Sequence, residues 1–171
     1  MPVRDALPKN YIKSSGGPFI PEETFNTAAN WDNGYLQNCT VSEDTDHVAQ
    51  GHTKSIHLAR TGDSGGFSSE LHNLSGFNLS GVENLEMMVY SGGPGITMCD
   101  VNIRLYSSSH GSMFMFYAYS VQLYHGWNRI RYPITDREIS GTTTLKTTLN
   151  CIRIEVVPQS GTPDLSFHVP E

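Results

Sequence analysis

Apolar residues alternate with other side chains at every second position along several segments in the second half of the chain. Successive side chains of a β-strand point to opposite faces of the sheet, so this period predicts half-buried antiparallel strands of about 5 to 8 residues. No run of about ten residues shows the 3.6-residue period of an amphipathic helix. The pattern therefore predicts an all-β fold, an antiparallel β-sandwich of about eight to ten strands. The apolar series are Leu85, Met87 and Val89; Val101, Ile103 and Leu105; Ile152, Ile154 and Val156; and Leu165, Phe167 and Val169.

Turn-forming residues divide the chain between these series. The Gly-Gly-Pro-Gly segment at 92–95 predicts a turn between two strands, and Asn33 and Gly34 predict an earlier one. The segment 1–21 is rich in proline, serine and glycine, which predicts a linker or extended arm, with an ordinary frayed terminus as the alternative. Residues 22–171 are then expected to form a single β-sandwich domain.

Length and charge exclude several classes of partner. With 171 residues, the chain is long enough to bury a hydrophobic core without cross-links. The net charge is -6 with 11 Lys and Arg residues and no basic run, so nucleic acid is not an expected partner. No apolar stretch reaches the roughly 18 residues of a membrane span, and the first residues lack the apolar core of a secretory signal.

The cysteines and histidines do not predict a disulfide framework or a zinc centre. Cys39, Cys99 and Cys151 are widely spaced and odd in number, which predicts three reduced thiols buried among strands. The 7 histidines form neither a His-x-x-x-His pair nor a His-Glu-x-x-His motif, so catalytic zinc is not expected.

Three parts of the sequence resemble the galactose-binding-like jelly-roll modules, the fold of many carbohydrate-binding modules. Residues 79–90 are similar to the loop, leucine and strand ending in Val-Tyr of that family. Residues 126–130, Gly-Trp-Asn-Arg-Ile, resemble its Gly-Trp-Asn-x-Ile edge, while 152–154 and 163–167 resemble its closing hairpin. The resemblance covers about residues 23–169, and it implies a jelly-roll sandwich that binds a polysaccharide or another glycan without catalysis.

The resemblance also implies a biological setting. Modules of this kind occur beside polysaccharide-processing enzymes and in bacteriophage tail proteins that grip host glycans. The lack of a secretory signal, the unpaired cysteines and the polar strands favour a virion protein over an extracellular one. The leading hypothesis is therefore a receptor-binding module of a phage tail or spike, which attaches a larger particle to a bacterial surface polysaccharide.

Aromatic and polar side chains at outward strand positions are the candidates for glycan binding. A sugar ring stacks its apolar face on an aromatic ring, while donors and acceptors fix its hydroxyl groups. We expect Trp127 to anchor the core and Trp31 to be the exposed tryptophan. For the aromatic strand at 114–119, a core or subunit contact is the alternative. The predicted ligand-binding residues are Trp31, Tyr90, Arg104, Tyr106, Tyr117, Tyr119, Tyr124 and His125.

The resemblance further implies a structural calcium ion. Modules of this family hold Ca²⁺ where the first strand, an early loop and the last strand meet, because carboxylates and backbone carbonyls there supply hard oxygen ligands. The matching positions are Glu22 or Glu23 early in the chain and Asp164 late. The alternative is that these carboxylates are simply solvated at the surface.

The segment 62–66, Gly-Asp-Ser-Gly-Gly, matches the nucleophile loop of trypsin-like serine proteases. That family carries its His and Asp earlier in the chain on a β-barrel of their own, and only 63 residues precede Ser64. We therefore interpret the segment as a flexible glycine-rich turn and expect no protease activity.

Two further hypotheses stay open. A trimerisation or capping domain of a viral fibre would bury the outward side chains of Met88, Tyr90 and Met115 against neighbouring subunits of a homotrimer. A glycan lyase or hydrolase would need two groups that converge across a cleft, which the spacing of Asp136 and Glu138 does not show.

Overall fold

The computed structural model describes residues 27–48, 53–61, 65–71, 74, 79–80, 82–106, 113–140, 150–159 and 164–168. Within these ranges there are two 3₁₀ turns, Ala28–Asn30 and Ile134–Asp136, and no helix long and apolar enough to cross a membrane. The strands of the described ranges are β1 (Trp31–Gln37), β2 (Cys39–Asp44), β3 (Ser55–Arg60), β4 (Phe67–Leu71), β5 (Asn84–Tyr106), β6 (Met113–Phe116), β7 (Val121–Pro133), β8 (Glu138–Ser140), β9 (Cys151–Pro158) and β10 (Asp164–His168).

The strands form two antiparallel layers that share β5. Layer I has the order β2-β3-β10-β5-β7, and layer II has the order β1-β4-β9-β5-β6-β8. The first part of β5, 84–91, pairs with β7 and β10, whereas its last part, 99–106, pairs with β9 and β6. One strand thus carries the hydrogen-bonded sheet from one layer to the other. The predicted all-β sandwich is confirmed.

The two layers pack against each other around one apolar core. Tyr132 of β7 donates a hydrogen bond of 3.0 Å to the carbonyl oxygen of Val101, and its ring centroid lies 6.5 Å from that of Phe116. The thiol of Cys39 donates to the carbonyl oxygen of Ser68 across the same interior. Burying each large apolar side chain contributes about 1.5–3 kcal/mol. Core residues include Ile56, Leu58, Met87, Val89 and Ile130 of layer I and Phe67, Ile103, Leu105, Ile154 and Val156 of layer II.

The glycine-rich segment at 92–95 bends a strand rather than ending it. The sequence predicts a turn here, but β5 continues through it, and its register with β7 shifts between Ser91 and Ile96. Gly95 has a φ of +89°, which glycine adopts without strain. A bulge of this kind turns the strand instead of reversing it, so the predicted turn is wrong and β5 can serve both layers.

A bulge at Gly126 decides which way Trp127 points. Gly126 has a φ of +101°, and the inward positions of β7 change from odd-numbered residues such as Leu123 to even-numbered ones such as Ile130. Asn128 holds the bulge: its amide nitrogen donates to the carbonyl oxygens of Tyr124 at 2.8 Å and Gly126 at 2.9 Å, and its oxygen accepts from the Tyr124 amide. Trp127 therefore faces outward and is partly exposed, so its predicted place in the core is wrong.

Trp31 takes the core position that the sequence does not predict for it. It opens β1 opposite Leu71 and is only 3% exposed, so the prediction of an exposed tryptophan is wrong. The turn predicted at Asn33 and Gly34 is absent as well, because β1 runs through both residues. Its register with β4 is irregular between Asp32 and Gln37, and this irregularity accommodates the turn-prone pair.

The three cysteines are buried, as the sequence predicts. Cys39, Cys99 and Cys151 all lie within the described residues, and no disulfide joins any two of them.

Candidate functional site on the outer face of layer II

Charged side chains form a row across the central strands of layer II. Glu70 of β4 lies opposite Arg153 of β9, and Arg153 lies opposite Arg104 of β5. One row along, Glu155 lies opposite Asn102. These residues alternate with the apolar residues of the core, so their side chains stand on the outer face of the sheet. We call the following set the charged face: Glu70, Asn102, Arg104, Tyr106, Arg153 and Glu155.

Ion pairs and hydrogen bonds fix these side chains. The guanidinium of Arg104 donates to Glu155 Oε2 at 2.8 Å, and the amide of Asn102 approaches the same oxygen at 3.5 Å. Arg153 forms an ion pair with Glu70, and its guanidinium carbon lies 5.4 Å from the centroid of the Tyr106 ring. Such charge-assisted contacts are among the stronger ones in proteins, so the donors and acceptors of the face are held in place before any ligand arrives.

The charged face is unusually buried for the outside of a sheet. Glu70 is 0% exposed, Tyr106 2% and Asn102 5%. Taking a charge out of water costs several kcal/mol that its ion pair offsets only in part, so folding alone gives no reason to place charges here. This cluster of fixed charges makes the outer face of layer II a candidate functional site.

Two buried polar atoms of this face have spare hydrogen-bonding capacity. Asn102 Oδ1 and Arg104 Nε make no hydrogen bond to any residue that the structure describes. Both atoms are buried, so the groups of this pair of strands that a ligand can reach are the partly exposed side chains of Arg104 and Glu155, at 26% and 25%. Burial raises the pKa of Tyr106 above its ordinary value.

Two stacked tyrosines lie beside the charged face. The rings of Tyr117 and Tyr119 are nearly parallel, at 8°, with centroids 5.3 Å apart, and Tyr119 is 65% exposed. The hydroxyl of Tyr117 donates to the sulfur of Met115, which lies opposite Arg104. Partial burial, followed by the nearby carboxylate of Glu138, raises the pKa of Tyr117. An exposed aromatic surface thus borders the fixed polar groups.

The structure divides the predicted ligand-binding residues between the two layers. Whether any of them contacts a ligand stays a prediction; ion pairs lie on the outer faces of both layers, Arg104–Glu155 and Arg153–Glu70 on layer II and Arg129–Glu86 on layer I. Arg104, Tyr106, Tyr117 and Tyr119 lie on layer II, Tyr90 and His125 lie on the outer face of layer I, Tyr124 is 58% exposed just before the β7 bulge, and Trp31 is in the core.

Sequence reasoning missed four of the six residues of the charged face. Glu70, Asn102, Arg153 and Glu155 were not among the predicted residues, although a signal for Arg153 and Glu155 is present. In the strand 151–158 the outward positions read Arg and Glu between isoleucines and valine. Outward charges of opposite sign on two separate strands indicate that the strands pair, as Arg104 and Glu155 do.

Other predictions fall outside what the structure describes. Glu22, Glu23 and Ser64 are not among the described residues, and for Asp164 only the backbone is described. Among the described residues, no group of three His, Cys, Asp or Glu side chains could hold a metal ion. The calcium site therefore stays a prediction.

Met88 does not supply the subunit contact that the trimer hypothesis assigns to it. Its outward side chain is 4% exposed within the single chain. Tyr90 and Met115 remain partly exposed, so the homotrimer stays a prediction that sedimentation of the isolated chain would test.

Comparisons with solved structures place the fold. One similar structure is a family 11 carbohydrate-binding module from Clostridium thermocellum in complex with a β-1,3-1,4-mixed-linked tetrasaccharide, at a TM-score of 0.54 and 16% identity over 84% of this chain and 88% of that one. A family 30 carbohydrate-binding module has a TM-score of 0.53 and 16% identity over 82% and 87% of the two chains.

The family 11 module of the cellulosomal cellulase Lic26A-Cel5E of Clostridium thermocellum has a TM-score of 0.53 and 15% identity over 85% of this chain and 88% of that one. No protein-family model and no curated protein matches the sequence. The chain therefore has the jelly-roll sandwich fold of these carbohydrate-binding modules.

Proposed function

We propose that this protein is a non-catalytic carbohydrate-binding module that holds a polysaccharide on the charged face of layer II. The observation that carries the proposal is the partly buried network of Arg104, Glu155, Arg153 and Glu70 on the outside of a sheet. The fold that the chain shares with carbohydrate-binding modules supports the same function.

Each part of the face has a role in this proposal. Arg104 and Glu155, whose side chains are partly exposed, offer a donor and an acceptor to neighbouring hydroxyl groups of a sugar, and the buried amide of Asn102 approaches the Glu155 carboxylate from below. Tyr119 and Tyr117 offer apolar ring surface to the next sugar along the chain. Because the polar groups are already ordered, little side-chain entropy is lost when the glycan binds.

Replacing Arg104 by alanine tests the proposal. A hydrogen bond to a charged group contributes about 1.5–3 kcal/mol, so Arg104→Ala should weaken glycan binding about 10- to 100-fold in calorimetric titrations. The ligands would be soluble oligosaccharides, including a β-1,3-1,4-mixed-linked tetrasaccharide, together with bacterial capsular fragments. Arg131→Ala is the matched control, because Arg131 is a strand arginine on layer I with a side chain 62% exposed.

Two results would contradict the proposal. One is unchanged affinity of the Arg104→Ala variant for every sugar that the wild-type protein binds. The other is an equal loss of binding in the Arg131→Ala control. Release of reducing sugar during the titration would support the glycan-processing alternative instead.

We further propose that the polysaccharide belongs to a bacterial surface and that the module is part of a phage tail or spike. Three buried cysteines without a disulfide are compatible with assembly in the reducing bacterial cytosol, where tails are built. The protein should then bind encapsulated bacteria in a cell sedimentation assay and lose that binding on capsule-free cells of the same strain. Equal binding to both kinds of cell would contradict this setting.

A further inference from the structure

The outer face of layer I carries a second aromatic surface, on the opposite side of the sandwich from the charged face. Tyr90 lies at its centre. The ring centroid of Trp127 is 5.5 Å from that of Tyr90 and the centroid of His125 is 6.0 Å from it, both edge to face, while the His47 ring stacks on Tyr90 at 4.0 Å. We call these four residues the aromatic platform.

The platform depends on the β7 bulge. In a regular strand Trp127 would lie on the same inward face as Leu123. Between Leu123 and Ile130, however, the inward side chains of β7 change from odd-numbered to even-numbered positions. Gly126 supplies the left-handed backbone conformation and Asn128 ties both sides of the bulge together, so that Trp127 turns from the core to the outer face. The Gly-Trp-Asn motif thus aims a tryptophan outward.

A second device fixes His47 over Tyr90. Asp44 accepts hydrogen bonds from the backbone amides of His47 and Asp46 at 3.0 and 2.9 Å, and its other oxygen lies 3.0 Å from His47 Nδ1. The hydroxyl of Ser166 donates to that same oxygen at 2.6 Å. The loop after β2 is therefore held against the strand, and His47 is held on the Tyr90 ring.

Polar side chains extend the platform across the layer. Register places Ser166 opposite Tyr90, His57 opposite Ser166, and Ser42 opposite His57. With Trp127 opposite Tyr90, one line of side chains crosses all five strands of layer I. Ser166 within this line is buried, at 3% exposure, and its hydroxyl group is bound to Asp44, so the polar members at the surface are the exposed Ser42 and the half-buried His57. Strands in a sheet are about 4.8 Å apart, so this line is roughly 19 Å long.

We propose that the aromatic platform and this polar line form a second glycan-binding surface, so that one chain holds two polysaccharide strands on opposite faces. The chemistry favours a sugar over an apolar protein segment, because aromatic rings at one end pass into hydroxyl and imidazole groups at the other. The class of ligand rests on the proposed function, whereas the existence of a second surface rests on the layer I geometry.

Tryptophan fluorescence can observe this surface separately from the charged face. The chain has 2 tryptophans, and Trp31 is 3% exposed in the core, so a sugar that changes the emission by direct contact must act on Trp127. The experiment titrates the β-1,3-1,4-mixed-linked tetrasaccharide and capsular fragments into the full chain, following tryptophan emission and heat together. Wild-type protein should bind two oligosaccharides per chain, one of which changes the emission.

The variants separate the two faces. Tyr90→Ala should lower the affinity of the binding event that changes tryptophan emission about tenfold, and it should leave the affinity of the other binding event unchanged. Arg104→Ala should lower the affinity of the binding event that does not change the emission, and it should leave the event at Trp127 unchanged. Trp127→Phe keeps a ring in place and should keep both binding events by calorimetry while removing the signal, which guards against misfolding of the alanine variant.

Each remaining outcome has one meaning. Binding of a single oligosaccharide that Arg104→Ala weakens and that leaves tryptophan emission unchanged would overturn the second surface and keep the proposed function. Binding that only Tyr90→Ala weakens would support the aromatic platform and overturn the role of the charged face. No heat and no emission change with any sugar would overturn both.

Discussion

At the scale of single residues, Asp44 connects the stability of the fold to the aromatic platform. Partial burial raises the pKa of this carboxyl group, but hydrogen bonds from Ser166, from the amides of His47 and Asp46 and from the His47 ring outweigh burial and lower the pKa to about 2. The ordinary value is 3.8. The ionised form is therefore more stable in the folded chain than in the unfolded chain.

The pKa of Asp44 predicts a loss of stability in acid. A group whose pKa is depressed by folding contributes stability above its unfolded pKa, and this contribution is lost as the pH falls from about 4 to about 2. The shift corresponds to a loss on the order of 2 kcal/mol in the free energy of unfolding. Urea denaturation at a series of pH values measures it.

The matched variant for that measurement is Asp44→Asn, which cannot titrate. Its free energy of unfolding should be lower than that of the wild-type protein at pH 7, and the two should converge as the pH falls from 4 to 2. Parallel curves over that interval would show that Asp44 contributes nothing to the acid sensitivity.

The two tryptophans show what residue-level pattern can and cannot predict. The strand alternation around Trp127 is correct on either side, yet a bulge at Gly126 reverses the face on which its side chain lies. A bulge inserts one extra residue into a strand and leaves the apolar pattern on either side unchanged. Its position therefore becomes visible only in the pairing of β7 with β5. Trp31 is buried for a similar reason, since its pairing with Leu71 is a contact between distant parts of the chain.

At the scale of elements, the second-half strands were predictable because each buries only one face. The inward series of β5 and β9 are the apolar series seen in the sequence, and Leu165, the one member of the β10 series whose side chain the structure describes, is buried as well. The continuity of β5 through 92–95 was not predictable, because a glycine-rich segment fits a turn and a bulge equally well. Only the pairing of β7 with β5 on both sides of this segment distinguishes a bulge from a turn.

The bulge of β7 gives a prediction at this scale. Gly126→Ala should lower the free energy of unfolding by about 1–2 kcal/mol, because a Cβ at a φ of +101° strains the backbone even though nothing lies within 4 Å of it. Gly93→Ala is the control: it has no positive φ, and its Cβ would meet only the hydroxyl of Thr97 at 3.4 Å, an ordinary contact. Chemical denaturation compares both variants with the wild-type protein, and equal stability of the two would contradict a role for the Gly126 conformation.

At the scale of the whole molecule, alternation predicts a sandwich but not which residues come together on each outer face. The charged face joins Glu70 to Arg153 and Arg104 to Glu155, residues that are far apart in the chain. Their proximity follows from the order of strands in layer II, which places β9 between β4 and β5. No local pattern encodes that order, so the individual residues could be proposed from the sequence while the network could not.

The cysteines provide a prediction about the folded molecule as a unit. Burial, with a smaller contribution from the Asp100 carboxylate, raises the pKa of Cys99 to about 12, and burial raises that of Cys39 to about 11. Cys151 is also buried, at 4% exposure. The thiolate is the reactive form, so at pH 8 only on the order of 1 in 1,000 to 1 in 10,000 of the two shifted thiols would be ionised even where reagent could reach them.

We therefore expect the native protein to react with an aromatic disulfide reagent only as fast as it unfolds. In urea above the unfolding midpoint, all three thiols should react within seconds, which provides the control for reagent activity. In native buffer Cys39 and Cys99, which lie in the core shared by the two layers, should react together and slowly. Cys151 is buried on the outer face of layer II, at 4% exposure, and should also react slowly. Rapid reaction of one thiol in native buffer would show that its part of the sandwich opens independently of the rest.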